Sequence, residues 1–237
     1  MWRSIVALTL LTFWSGALEA ACRQALALGL DVSGSVDLRE YRLQLDGLVS
    51  ALNDDEVRSL LLAEPAAPVA ILVYEWSGPS DQVVLVPWTD ILDDAALREV
   101  SARLAAVERR ASSPGTALGV AMRLGAGYLS ERDDCWKRTL DISGDGKSNF
   151  GPRPRDIKGE IAAQGVTVNA LVIGADAPAS GDQRQTEIGE LSSYFRTEVI
   201  VGPEAFVQTA LGFEDYAEAM TLKLKRELAA ISISQRQ

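Results

Sequence analysis

The sequence predicts a single α/β domain built on a doubly wound, mostly parallel sheet with one antiparallel edge strand. Three observations carry this. Short apolar runs alternate along the chain with segments of helical spacing. The run 25–30 is apolar on both faces, as a strand in a covered parallel sheet must be, and 166–173 is a second largely apolar strand. The turn Gly78-Pro79-Ser80-Asp81 joins two further apolar runs closely enough for a hairpin. Alternation of this kind puts helices on both faces of the sheet.

Taken in order, residues 25–30 form a strand that ends at Asp31. Residues 36–52 place Tyr41, Leu45, Leu48 and Leu52 on one helical face. Residues 69–76 and 83–88 are the hairpin strands, flanked by Tyr74, Trp76 and Trp88. These aromatics either pack under neighbouring helices or face a partner. Residues 95–107 are helical, and Thr116 opens another helix that runs to Leu129. Residues 139–143 form a strand, and residues 156–163 a helix ended by Gly165. The strand 166–173, a helix over 186–194, a short strand over 199–201 and a final helical stretch over 205–228 complete the chain. Lys223, Lys225 and Arg226 are expected on a solvated face of that last helix, where positive charge suits the dipole.

Composition narrows the function. The chain has 237 residues, 47% hydrophobic and 24% charged, enough for one sizeable core. It contains no histidine, which removes histidine acid–base chemistry, Ser-His-Asp and Cys-His arrangements, and most zinc and haem sites. Its net charge of −10 repels nucleic acid and anionic membrane surfaces. An acidic partner would need a positive mediator, and a divalent cation supplies one.

Residues 1–20 read as a secretory signal peptide: Arg3, an apolar run over 5–18, then Leu-Glu-Ala before the cut. The run is shorter than a spanning helix needs. The mature domain is then residues 21–237, with no transmembrane segment, placed in the periplasm or secreted. The two cysteines, Cys22 and Cys135, suit a disulfide in an exported chain. Cys22 lies nine residues before Asp31, and Cys135 ten before Asp145. If both aspartates end neighbouring parallel strands, the cysteines meet at the opposite ends; two unpaired buried thiols are the alternative. In an open sheet, ligands bind beyond the carboxyl ends of strands at a switch point, where Asp31 and Asp145 are both expected.

The motifs at those ends are Leu-Gly-Leu-Asp31-Val-Ser33-Gly-Ser35-Val, Ser-Pro-Gly-Thr116-Ala-Leu-Gly and Asp141-Ile-Ser-Gly-Asp145-Gly-Lys-Ser-Asn149. Together they resemble the metal-ion-dependent adhesion site of the von Willebrand factor A family, a Rossmann-like fold. Over the mature chain the element order is similar to that family's, and an exported bacterial branch looks most alike. The Ser143-Gly144 pair before Asp145 departs from the Thr-Asp-Gly type sequence usual there. The resemblance implies a metal set of Asp31, Ser33, Ser35, Thr116 and Asp145, with Thr116 and Asp145 on separate loops. Two carboxylates and three hydroxyls are hard oxygen donors, which suit Mg²⁺, or Mn²⁺ or Ca²⁺, and not zinc. It also implies a protein partner that offers a carboxylate to the metal. Asp141 and Asn149 are candidates to hold the ligands from behind; for Asp141, a local backbone donor or Arg138 is the plainer partner.

Other readings fail on their residues. Gly146-Lys147-Ser148 lacks the upstream glycine of a P-loop, since position 141 is Asp. A dehalogenase-type phosphatase needs a carboxylate two residues after Asp31, where Ser33 stands. The first turn has only Gly34 for a dinucleotide fingerprint. The sequence therefore predicts an exported, metal-dependent protein-binding domain and not an enzyme. The alternatives are a metal-dependent hydrolase acting through Asp31 and a metal-free structural domain.

Overall fold

The structure is a computed structural model that describes residues 22–174 and 182–234. The expected signal peptide lies outside them. Six strands form one sheet: β1 Cys22–Asp31, β2 Val69–Trp76, β3 Gln82–Asp90, β4 Cys135–Gly144, β5 Val166–Ile173 and β6 Val207–Ala210. Their order is β3-β2-β1-β4-β5-β6, parallel except for β3, which pairs antiparallel with β2. The helices are α1 Leu38–Leu52, α2 Asp55–Leu61, α3 Asp94–Ala105, α4 Leu118–Leu129, α5 Pro154–Ala163, α6 Asp182–Tyr194 and α7 Tyr216–Ser234. The doubly wound α/β class read from the alternation is the observed one.

Each face of the sheet buries its own layer, because strand side chains alternate. Leu26, Leu28 and Leu30 point to the side of Leu45 and Leu48 of α1 and Leu224 of α7. Ala25 and Ala27 point to the side of Leu118 and Met122 of α4 and Ile157 and Ile161 of α5. The chain winds outward from β1 in one direction through β2 and in the other through β4. The switch point therefore falls between β1 and β4, beyond Asp31 and Gly144.

At the other end of that strand pair, Cys22 and Cys135 are register partners and form the disulfide, with Cα atoms 4.3 Å apart. The offsets to Asp31 and Asp145 thus translate into geometry. Cys135 extends β4 four residues ahead of its expected start at 139.

Several expectations are corrected. Helix α1 starts at Leu38, two residues late, because Val36 N–H closes a turn onto Ser33. Asp37 then caps it in a reciprocal box with Glu40. The extra helix α2 starts on a capping Asp54 inside a stretch read as a connection. Residues 199–201 are not a sheet strand. Phe195–Val199 is a π turn continuing α6, and Val201 makes one bridge to Val168. The sixth strand is Val207–Ala210, hidden in the sequence by helix-like apolar spacing; Gly212 separates it from α7. Tyr74 and Trp76 are fully buried, so they are core. Trp88 is half-buried and donates to the Tyr128 carbonyl. Lys223 is not solvated but fully buried against Asp141 and Glu227. Among the described residues no helix is long and apolar enough to cross a membrane.

Candidate metal centre

The β1–α1 loop carries Ser33 and Ser35. Ser33 N–H donates to Asp31 Oδ1 at 2.9 Å, folding the loop back over the strand end. Gly34 has no room for a side chain: a Cβ there would meet Pro114 Cα at 2.9 Å, and its N–H donates to the Pro114 carbonyl. Ser112 Oγ donates to the Val32 carbonyl at 2.7 Å. These contacts bind the loop of Thr116 to the loop of Asp31.

The hydroxyls form a chain. Thr116 Oγ1 donates to Ser33 Oγ at 3.3 Å, Ser33 and Ser35 hydroxyls lie 3.3 Å apart, and Ser35 Oγ donates to Asp145 Oδ1 at 2.8 Å. Three loops thus bring together all five residues expected from the sequence. Asp31, Ser33 and Thr116 are buried, Asp145 is half-buried and Ser35 is exposed, so the cluster opens on the Ser35–Asp145 side.

Its electrostatics are those of crowded anions. Burial and then the charge of Asp145 push the Asp31 carboxyl up to about 8, although Ser33 donors oppose this. Burial also raises Asp145, against the Ser35 hydrogen bond. Asp31 Oδ2 is buried with no hydrogen-bond partner among the described residues. An unpartnered buried carboxylate oxygen beside a second carboxylate fits a cation.

Asn149 supports Thr116 as expected: its Oδ1 accepts Thr116 N–H at 2.8 Å, and its own N–H donates to the Thr116 carbonyl at 3.0 Å. The loop between Asp145 and α5 lies tight on α4, where a Cβ at Gly119 would sit 2.1 Å from the Pro152 carbonyl oxygen. Thr116 is not a helix cap; α4 begins at Leu118 without a side-chain cap. Asp141 is elsewhere: its Oδ2 pairs with Lys223 Nζ at 2.5 Å, in the layer under α7. Arg138, the plainer partner, instead donates to the Gln164 carbonyl.

The sequence reading missed a network that braces the Thr116 loop. Arg110 donates through Nε and Nη2 to the buried Glu75 Oε1, at 3.1 and 2.7 Å. Tyr41 OH donates to Glu75 Oε2 at 3.0 Å. Asp81 Oδ2 accepts from Ser77 Oγ and Ser113 N–H, both at 2.7 Å, and these donors hold its carboxyl below the usual range. The available signal was Glu75, a charge inside an otherwise apolar strand. Cys22, Cys135 and Asp134 also converge, but the two sulfurs are bonded to each other and Asp134 pairs with Arg132.

Solved structures share this fold. The proximal thread matrix protein 1 of the mussel byssus aligns over 89% of this chain and 49% of its own, with 17% identity and a TM-score of 0.59. A further structure of that mussel protein is described as having a zinc-occupied MIDAS motif. The pilus adhesin SpaC of Lactobacillus rhamnosus GG aligns over 89% of this chain and 30% of its own, at 14% identity and a TM-score of 0.59. A von Willebrand factor type A protein from Catenulispora acidiphila aligns over 89% and 43%, at 12% identity and a TM-score of 0.56. The chain therefore spans about half the length of these proteins or less. No curated protein matches in sequence. The fold is that of von Willebrand factor A domains, and a family described as "Protein of unknown function (DUF1194)" matches residues 21–232. With all but the ends of its sequence inside that match, the chain belongs to the DUF1194 family.

Proposed function

We propose that this chain is an exported, divalent-metal-dependent protein-binding domain, and that Asp31, Ser33, Ser35, Thr116 and Asp145 hold the ion. The observation that carries this is the buried, unpartnered Asp31 Oδ2 beside Asp145, in a ring of hydroxyls. Two carboxylates that burial disfavours as anions become favourable when a cation stands among them. Bound, a divalent ion would supply a positive centre able to accept one more oxygen ligand.

The chain's own residues set the rest. Asp31 and Asp145 supply the negative charge. Ser33, Ser35 and Thr116 supply neutral oxygens, and Asn149 fixes the backbone of Thr116. The exposed Ser35 and half-buried Asp145 leave the side from which a partner carboxylate would approach. Oxygen donors favour Mg²⁺, with Mn²⁺ or Ca²⁺ as alternatives. The zinc-occupied motif in the mussel protein means that zinc belongs in the same titration. One structural neighbour is a pilus adhesin, which agrees with binding as the role. Histidine is absent from the chain and Ser33 stands where a second catalytic carboxylate would be, which favours binding over hydrolysis. Export rests on the apolar leader and on the disulfide, a bond that persists in oxidising compartments. Mass measurement of extracytoplasmic protein should find a mature terminus at or near Ala21; an intact Met1 there would count against cleavage.

Calorimetric titration of wild type, Asp31→Ala and Asp145→Ala with Mg²⁺, Mn²⁺, Ca²⁺ and Zn²⁺ tests the site. Wild type should bind one ion, and both variants should lose it while melting cooperatively. Ser33→Ala, Ser35→Ala and Thr116→Ala should weaken binding less, because water partly replaces a neutral ligand. Asp31→Ala binding metal like wild type would sink the proposal. Chelator should release any captured partner, and Asp145→Ala should capture none.

A further inference from the structure

A second cavity, of about 420 Å³, lies near the starts of β4 and β5, at the end of the sheet away from Asp31 and Asp145. Its walls come from Lys137 of β4, Thr167 and Asn169 of β5, the loop before β6, and Arg226 and Glu227 of α7. We propose that this cavity binds a small zwitterion of the free α-amino acid class, with its ammonium on Glu227 and its carboxylate between Lys137 and Arg226.

The base of the cavity supplies the acceptor. Glu227 is 1% exposed, and its Oε1 is taken by Asn169 Nδ2 at 2.6 Å and Lys223 Nζ at 2.7 Å. Its Oε2 is buried with no hydrogen-bond partner among the described residues. Behind it stands Asp141, so one ammonium, Lys223, serves two carboxylates. Lys137 at the rim also feels the charges of Glu227 and Glu204, so what Glu227 Oε2 lacks is a hydrogen-bond donor, and a ligand ammonium would supply it.

The walls supply donors for an anion. The Arg226 guanidinium lies 3.8 Å from the centroid of the Phe206 ring and lines the cavity, where its N–H groups can meet a carboxylate. Lys137 is half-buried, and its Nζ donates to the Glu227 carbonyl at 3.5 Å. Burial depresses this lysine although Glu227 and Glu204 oppose the shift, so a further anion beside it would be favourable.

Charge selects the class. A simple amine would meet Lys137 and Arg226; a simple acid would meet Glu204 and Glu227. Only a ligand with both charges satisfies both pairs. The loop is shaped for the purpose: Glu204 holds a left-handed backbone (φ 57), unusual outside glycine. At Gly202 (φ 101) an added Cβ would stand 2.9 Å from Thr167 Cα, so the close approach of the loop to β5 requires glycine. Asn169 Oδ1 accepts Phe206 N–H at 3.0 Å, anchoring the ring under Arg226.

The test is calorimetry of the full chain against the common free amino acids at millimolar concentration, in the presence of chelator. Chelator removes any route for a carboxylate through the metal centre, so this result stands or falls independently of the proposed metal function. Saturable binding of one or more amino acids is expected, lost when the amine is acetylated or the acid amidated. Arg226→Ala and Lys137→Met, both outside the core, should each weaken binding roughly tenfold, as for one charged hydrogen bond. Glu227→Gln should abolish it, with the rim variants guarding against a folding artefact. No saturable binding by any amino acid overturns the proposal. So does binding that tolerates acetylation, or that keeps wild-type strength in both rim variants.

Discussion

Burial and Asp145 together raise Asp31 to about 8, which makes this single side chain a pH-sensitive term in the metal-free protein. Its folded pKa lies above the unfolded value of 3.8, so the folded state holds the proton longer. Ionising Asp31 therefore costs stability as pH rises from about 4 towards 8. In chelator, Asp31→Asn should flatten the fall in melting temperature between pH 5 and pH 8, and should melt above wild type at pH 8. In metal the order should reverse, because the ion needs the carboxylate deprotonated. Wild-type Mg²⁺ affinity should accordingly rise from pH 6 to pH 8, with protons released on binding. Equal Mg²⁺ affinity at both pH values would remove Asp31 from the ligand set. Ser35 acts more weakly at this scale: it is exposed, neutral and replaceable by water.

At the scale of elements, α7 is tied to β4 by an ion pair and to β5 by the Asn169–Glu227 hydrogen bond, and not by apolar packing alone. Lys223 Nζ reaches Asp141 Oδ2 at 2.5 Å and Glu227 Oε1 at 2.7 Å, with all three side chains buried. Burial pushes Asp141 up to about 7 even against this ammonium, which two carboxylates share. Lys223 is raised, because both carboxylates outweigh its burial. Lys223→Met should destabilise by about 3–5 kcal/mol, since it strands two buried acids. Asp141→Asn should cost much less and should remove the loss of stability between about pH 4 and pH 7. Urea midpoints of the two variants decide it; a Lys223→Met midpoint no lower than that of Asp141→Asn would refute the arrangement. These elements also show what a sequence reveals. The strands 69–76 and 166–173 were legible to the residue, because predominantly apolar, β-branched runs bounded by turn residues favour one reading even with Glu75 or Asn169 inside them. Strand β6 was not, because Phe206, Val207 and Leu211 also fit a helical spacing and only the edge of an existing sheet selects the strand. The convergence of Asp31, Ser33, Ser35, Thr116 and Asp145 was legible because Asp31 and Asp145 end or follow neighbouring strands, Ser33 and Ser35 lie on the loop after the first, and Thr116 lies two residues ahead of a helix. The Lys223 cluster and the Glu75–Arg110 brace were hidden, since each unites residues distant in sequence whose pairing is set by packing.

For the whole molecule, the disulfide and the proposed metal centre act on opposite ends of one strand pair. Cys22 and Asp31 are the two ends of β1, and Cys135 and Gly144 the two ends of β4. Ten residues of strand put roughly 30 Å between the ends. The bond spans a sequence separation of 113. In the chain-entropy picture a loop of that order restricts the unfolded state by about 4–5 kcal/mol. Reduction, or the paired change Cys22→Ala with Cys135→Ala, should lower the melting temperature by on the order of 10 °C for a domain of this size. The metal acts by binding the native state, and sites so far apart contribute additively. The rise in melting temperature on adding Mg²⁺ should therefore be the same with and without the disulfide. Thermal melts of the oxidised protein and the double variant, each with Mg²⁺ and with chelator, complete the comparison. A Mg²⁺ increment that vanishes in the folded double variant would show that the disulfide sets the β1–β4 register on which Asp31 and Asp145 depend. An unchanged increment would show that the sheet alone holds the two aspartates together, as the continuous ladder from Cys22 to Leu30 against Cys135 to Ser143 implies.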